Sequence, residues 1–368
     1  MIRLPGLIDP HVHLRDPGDP HKEDFDSGTA AALAGGFTAV LAMPNTKPPL
    51  ADAASFSTAQ SAGRAKARCD YGLFVGGGDE NAAAAAELAP LAAGLKLYLD
   101  QTFGPLRLDG LTSVRAHFAA WPRARPIAVH AEGRSLAFAL LLAHLHDRSL
   151  HVCHVSRRDE ILLIRAAKER GLKVSCEATP HHLFLSQDDL GAIGEGRGEV
   201  RPRLAQTSDV EALWENLAVI DCFATDHAPH TLAEKDSLQP PPGFPGLETA
   251  VGLLWQAVQD GRLTVADLVA RMHTNVRRIF HLPEQLDSWT EIDPGDGWEV
   301  HATELHSRCG WTPFEGWKLP ARIRRVMLRG SVAYEDGRVL VKPGLGLDLA
   351  PRLRTSNRAA SPPTEAMS

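Results

Sequence analysis

Two histidines, His11 and His13, stand one residue apart after an apolar run in the stretch 4–18, LPGLIDPHVHLRDPG, and Arg15 follows two residues later. Side chains alternate faces along a strand, so the three point the same way. Two imidazoles at that spacing can hold one metal ion, and a guanidinium beside them can grip a carboxylate with two parallel hydrogen bonds. A His-x-His pair alone fits two hydrogen-bonded surface histidines equally well. The rest of the chain has to decide between the two readings.

Further polar residues fall at the ends of other apolar runs. Lys96 lies in GLKLYL, His130 in PIAVHAE, His154 in LHVCHVS and Asp226 in DCFATDHAP. With GLIDPHVHL, FTAVLAMP, YGLFVGG and KVSCEATP these make eight short runs, each read as a β-strand. Helical stretches such as HKEDFDSGTAAALAGG and RRDEILLIRAAKERG separate them, the second stopping at a glycine. Strands apolar on both faces and alternating with helices predict a parallel sheet, and eight such units predict a (β/α)8 TIM barrel. The active face of that barrel is the C-terminal end of its strands, where His11, His13, Lys96, His130, His154 and Asp226 would gather. Chance placement would scatter such residues over both ends.

The barrel is expected over residues 4–300, its last part built from helices in 248–280. The stretch RIRRVMLRGSVAYEDGRVLVKPG then predicts a hairpin turning at Glu335-Asp336-Gly337. Residues 320–347, with 1–6, read as a small β-sandwich remnant, a C-terminal β appendage to the α/β barrel. The polar, proline- and serine-rich stretch 350–368 reads as a disordered tail.

The chain has 368 residues, 44% hydrophobic and 23% charged, with a net charge of −6. No basic stripe is present, which argues against a nucleic-acid partner. The longest apolar stretch is short and is broken by Gly35-Gly36, which argues against a membrane span. Five cysteines without a Cys-x-x-Cys pair, and no leader before the first strand, predict reduced thiols and a cytoplasmic location.

Lys96 is the least ordinary of the six. An ammonium among apolar strand neighbours is costly to bury, which favours the neutral amine. A neutral amine beside metal ions can capture carbon dioxide and become a carbamate, a carboxylate on a long stem. The set then reads as two zinc ions bridged by carboxylated Lys96, one on His11, His13 and Asp226, the other on His130 and His154. Asp226 reads as ligand and base, with a supporting carboxylate as its plainer alternative.

The motifs GLIDPHVHLRDPG, AMPNTKPP, GLKLYLDQTF, CEATPHHLFLS, GEVRPRL and FATDHAPHT together resemble the dihydroorotases of the amidohydrolase superfamily. More narrowly, EALWENLAVIDCFATDHAPHTL and WTPFEG resemble the dihydroorotase domain of the multifunctional animal pyrimidine-synthesis proteins. The resemblance covers residues 4 to about 346. It implies a hydrolase acting on cyclic amides, interconverting N-carbamoyl-L-aspartate and L-dihydroorotate. It further implies that Arg15, Asn45, Arg201 and His230, with the backbone at Pro242-Gly243, contact the substrate. Thr102 and Phe103 would lie on a loop closing over it. Cys153 and Glu177, with His130, would form a third zinc site, although strand alternation turns Cys153 away from His154 and reads it as core. A homodimer is implied, as is association with carbamoyl-phosphate synthetase and aspartate transcarbamoylase activities. The alternatives are another cyclic-amide hydrolase, of dihydropyrimidinase or allantoinase type, and an inactive scaffold relative. Two departures stand out. Few residues precede the first strand, so the sandwich could be incomplete. Pro10 cannot donate to a strand ladder, so the first strand is expected to fray there.

Overall fold

The computed structural model describes residues 1–349, so the stretch 350–368 lies outside the described residues. After a short strand β1 (Ile2–Pro5), all eight apolar runs form strands: β2 (Leu7–Val12), β3 (Phe37–Ala42), β4 (Asp70–Gly76), β5 (Gly94–Tyr98), β6 (Ile127–His130), β7 (Leu150–Val152), β8 (Val174–Ala178) and β9 (Cys222–Phe223). They pair in chain order, every neighbour parallel. The ring closes just beyond β9, where Val12 bridges His227 and the His13 amide donates to the His227 carbonyl at 2.7 Å. Asp9 adds two bonds across the seam, accepting from the Thr225 amide and hydroxyl. Helices follow the strands on the outside. The helix Phe25–Ala34 starts on Asp24, whose carboxylate caps the Ser27 amide, and Asp52 does the same for the helix Ala53–Lys66. The strands are buried on both faces because the packed barrel interior lies on one side and the helices on the other.

Pro10 does not fray β2. The strand runs through to Val12, and its register against β3 jumps instead: Asp9 faces Val40 and Val12 faces Ala42. The extra residue is a bulge, and the amide that Pro10 lacks falls inside it.

The second sheet is larger than the appendage predicted. It is antiparallel, in the order β1, β10 (Trp289–Asp293), β13 (Arg322–Leu328), β14 (Ser331–Glu335) and β15 (Arg338–Val339). A separate two-stranded ribbon joins β11 (Trp298–Glu299) to β12 (Lys318–Leu319). Residues 289–293 therefore belong to this sheet and not to the barrel. The main hairpin turns at Arg329-Gly330, and Asp336-Gly337 makes a second two-residue turn from β14 into β15. All four residues of β1 pair with β10, and β1 stands at one end of the strand order.

Candidate metal centre and substrate pocket

The strand ends bring the six predicted ligands together. His11, His13, Lys96, His130, His154 and Asp226 are all buried. Three site residues leave their strands with a left-handed backbone: Arg15 (φ 58°), His154 (φ 33°) and Asp226 (φ 47°). Non-glycine residues rarely hold that conformation, and it turns each side chain sharply into the barrel mouth. One Asp226 oxygen lies 3.0 Å from His13 Nε2 and 3.1 Å from His11 Nε2. His130 Nδ1 and His154 Nε2 face each other at 3.0 Å, and the His11 and His154 rings are 5.3 Å apart.

The electrostatics match a cation site. Burial opposes charge on Asp226, but His11 and His13 outweigh it and hold the carboxyl well below its usual range. Burial also lowers His11, yet Asp226 and Glu177 lift it to about 10. Burial pushes His13 down to about 4, and holds His130 and His154 below their ordinary value. Ionised Asp226 and neutral His13, His130 and His154 are the donor forms that zinc takes, and His11, charged beside Asp226 and Glu177, would release its proton to a bound ion. The His11, His13 and Asp226 donor atoms all lie within 4.8 Å of one another. Among the described residues His154 Nδ1 has no hydrogen-bond partner. The residues fit a metal centre.

Two residues orient this centre from behind. Glu177 sits 2.5 Å from His11 Nδ1 and 2.9 Å from His151 Nε2, and accepts from the His154 amide. Asn45 Oδ1 lies 2.6 Å from His13 Nδ1. Such partners fix which imidazole nitrogen carries the lone pair. Lys96 is fully buried, and the one hydrogen bond of its side chain among the described residues runs to Cys153 Sγ at 2.9 Å. No carboxylate pairs with it there. Cys153 is therefore not turned away. The strand stops at Val152, and the left-handed turn at His154 puts both side chains on the same centre, where Cys153 groups with His11 and His154. Among the described residues His130 forms no ligand group with Cys153 and Glu177; Cys153 groups with His11 and His154, and Glu177 bonds His11.

Beside the centre, Arg15, Asn45, Thr102, Phe103, Arg201, Pro242 and Gly243 line one cavity with the histidines and Asp226. Arg15 Nε donates to the Pro229 carbonyl, and its NH2 lies 3.0 Å from His230 Nε2. His230 stands behind Arg15, outside the cavity lining. Burial and the cations Arg15, Lys22 and Lys235 keep it neutral. The Phe103 ring packs edge-on against His230 at 4.9 Å and roofs the pocket, held by the Asn45 amide donating to its carbonyl at 3.0 Å.

Three contributors were not picked out from the sequence. Lys22 Nζ reaches His230 Nδ1 at 3.3 Å. Lys235, fully buried, donates to the carbonyls of Glu199 and Pro241 at 2.7 and 2.9 Å, tying together the two segments that carry Arg201 and Pro242-Gly243. Tyr98 also lines the cavity, and strand parity with Lys96 is the signal that could have found it.

A barrel with this polar cluster at its strand ends is the architecture of a known family. The chain belongs to the amidohydrolase family, whose model matches residues 2–296. Within it, the chain falls among the dihydroorotases. It is 37% identical to the dihydroorotase of Pyrococcus abyssi, covering 93% of this chain and 86% of that protein. It is 54% identical over 349 residues to the multifunctional protein CAD of Squalus acanthias, covering 95% of this chain and 16% of that protein. The chain thus spans about a sixth of the length of that relative. Among solved structures, the inactive dihydroorotase-like domain of a Chaetomium thermophilum CAD-like multifunctional protein matches with a TM-score of 0.82 and 33% identity, covering 95% of this chain and 99% of that one.

Proposed function

We propose that this chain is an active dihydroorotase, a hydrolase that interconverts L-dihydroorotate and N-carbamoyl-L-aspartate in the building of pyrimidines. The observation that carries this reading is the pairing, in one cavity, of a His/Asp donor cluster with an anion pocket formed by Arg15, Asn45 and Arg201. A cyclic amide without a carboxylate would have no use for the second half. His11, His13 and Asp226 would hold one zinc ion and His130 and His154 a second, with Lys96, carboxylated, between them. Bound there, the metal pair supplies an acidified water and a polarised carbonyl.

The chain's own residues do the rest. Arg15 has its Nε committed to Pro229 and one terminal nitrogen beside His230, so its remaining N–H donors are left to hold the substrate carboxylate. Burial pulls the guanidinium only to about 10, so it stays charged. Thr102 and Phe103 cover the ring and keep bulk water out. Asp226, ionised, takes a proton from the attacking water at its carboxylate oxygen and returns it to the ring nitrogen as the C–N bond breaks. Ring opening thus adds one water across the amide.

The finer features belong to the same reading: a homodimer, association with the preceding and following enzyme activities of the pathway, and a cytoplasmic setting. Among the described residues no helix is long and apolar enough to cross a membrane. The solved inactive relative favours one rival, a scaffold without activity. The complete donor set supports the active reading.

The test is zinc per chain together with hydrolysis of dihydroorotate. About two zinc ions and turnover are expected, with ring formation gaining roughly tenfold per unit fall in pH because closure takes up a proton. Absence of turnover in zinc-loaded protein would leave the scaffold reading.

A further inference from the structure

Tyr98 ends β5 two residues after Lys96, so both side chains point into the barrel. Its ring stands 6.4 Å from that of His130, and Lys96 Nζ lies 5.1 Å from its centre. The residue is 3% exposed, and among the described residues its hydroxyl is buried with no hydrogen-bond partner. A phenol left unpaired in that way costs about 1–3 kcal/mol, and such orphans are rare enough to demand a reason. The backbone of Tyr98 is held separately, its carbonyl accepting from the Leu108 amide at 2.8 Å. Tyr98 does line the cavity, with His11, His130, His154, Asp226 and Arg15.

We propose that the Tyr98 hydroxyl is a catalytic hydrogen-bond donor to the oxygen of the amide carbonyl under attack. This inference rests on the dihydroorotase reading. As water oxygen bonds to the carbonyl carbon, the C=O π pair moves onto the oxygen, and charge develops there. Tyr98 donates to that oxygen without giving up its proton. When the C–N bond breaks the π bond reforms, and the ring nitrogen keeps its electron pair and receives its proton from Asp226. The donor is fixed before the substrate arrives, so little reorganisation accompanies the step. A planar carbonyl oxygen and a tetrahedral one occupy different positions, so the bond is worth most in the transition state.

The test is Tyr98→Phe, which removes only an oxygen that has no hydrogen-bond partner among the described residues. The variant is expected to fold with an unchanged or higher melting temperature and to keep wild-type zinc content. Its kcat for dihydroorotate should fall by about 100-fold, with KM within about threefold. Calorimetry gives a readout apart from turnover: a phosphinate analogue of the tetrahedral centre should bind the variant about 100-fold more weakly, and planar orotate about equally. Wild-type kcat in Tyr98→Phe, or a rise in KM alone, overturns the inference while leaving the dihydroorotase reading intact. A wild-type chain that neither turns over dihydroorotate nor binds the phosphinate overturns both.

Discussion

At the mouth of the barrel, Lys96, His11, Glu177 and Asp226 are all buried, and each touches another polar group of the same cluster. In the appended sheet the charges pair in water instead: Arg3 with Glu291 at 3.8 Å, Arg324 with Asp336 at 3.1 Å, and Arg325 with Glu335. Both regions are rich in opposite charges, yet only the first has excluded the solvent that would screen them. Exposed pairs contribute little to stability, while a buried charge robbed of its partner is severely destabilising. The sheet can therefore tolerate changes in its charges, and the barrel mouth cannot.

Lys96 should give the largest contrast. Lys96→Ala is expected to lower dihydroorotate hydrolysis by at least about 1000-fold and to loosen the metal pair. Lys96→Glu, shorter but anionic, should retain more zinc than Lys96→Ala. The checks are zinc per chain, kcat, and the mass at Lys96 in wild type; an unmodified Lys96 in active, metal-loaded protein would sink the bridging carbamate.

Arg15→Lys keeps the charge but loses the planar fork, so KM should rise about 10- to 100-fold at unchanged zinc content. Wild-type kinetics in that variant would remove Arg15 from the pocket.

Lys235 offers a smaller, pH-dependent effect. Burial pushes its ammonium down to about 7, against an ordinary value near ~10.4 in the unfolded chain. Between those values the unfolded chain binds the extra proton, so stability rises with pH, by up to about 1.4 kcal/mol per unit. Lys235→Met should abolish that rise, read as the difference between melting temperatures at pH 7.5 and 9.5 in the two proteins. The smallest effect belongs to the sheet. Arg325→Ala is expected to leave zinc content and kinetics unchanged, and a loss of zinc there would break the contrast between the regions.

Much of the site was legible because strand periodicity carries it. In the sequence, parity put His11, His13 and Arg15 on one face, and the ends of the apolar runs located Lys96, His130, His154 and Asp226. In the fold β2 ends at Val12, and Arg15 reaches the cavity through a left-handed turn beyond it. Parity failed where the strand had already ended: Cys153 shares a centre with His154 because the backbone turns left-handed there, which no residue type announces. The bulge at Pro10 escaped for a related reason. Proline signals a missing donor but does not say whether the strand stops or skips a step. β10 was misplaced because its five residues gain their partners from both ends of the chain, β1 and β13, and such long-range pairing leaves no local mark. His230 reached the reading by resemblance, and its position behind Arg15 depends on the loop after β9.

The left-handed turns at Arg15, His154 and Asp226 bear on transplantation. Each costs about 1–3 kcal/mol that the surrounding barrel must hold in place. A graft of these side chains onto another eight-stranded barrel would move the functional groups and leave the dihedral angles behind. Glycine would recover the backbone at any of the three positions and lose the ligand or the guanidinium, so neither can be copied without the other. A designer borrowing this site would have to import the loops that follow strands β2, β7 and β9 as whole pieces, with the residues that brace them.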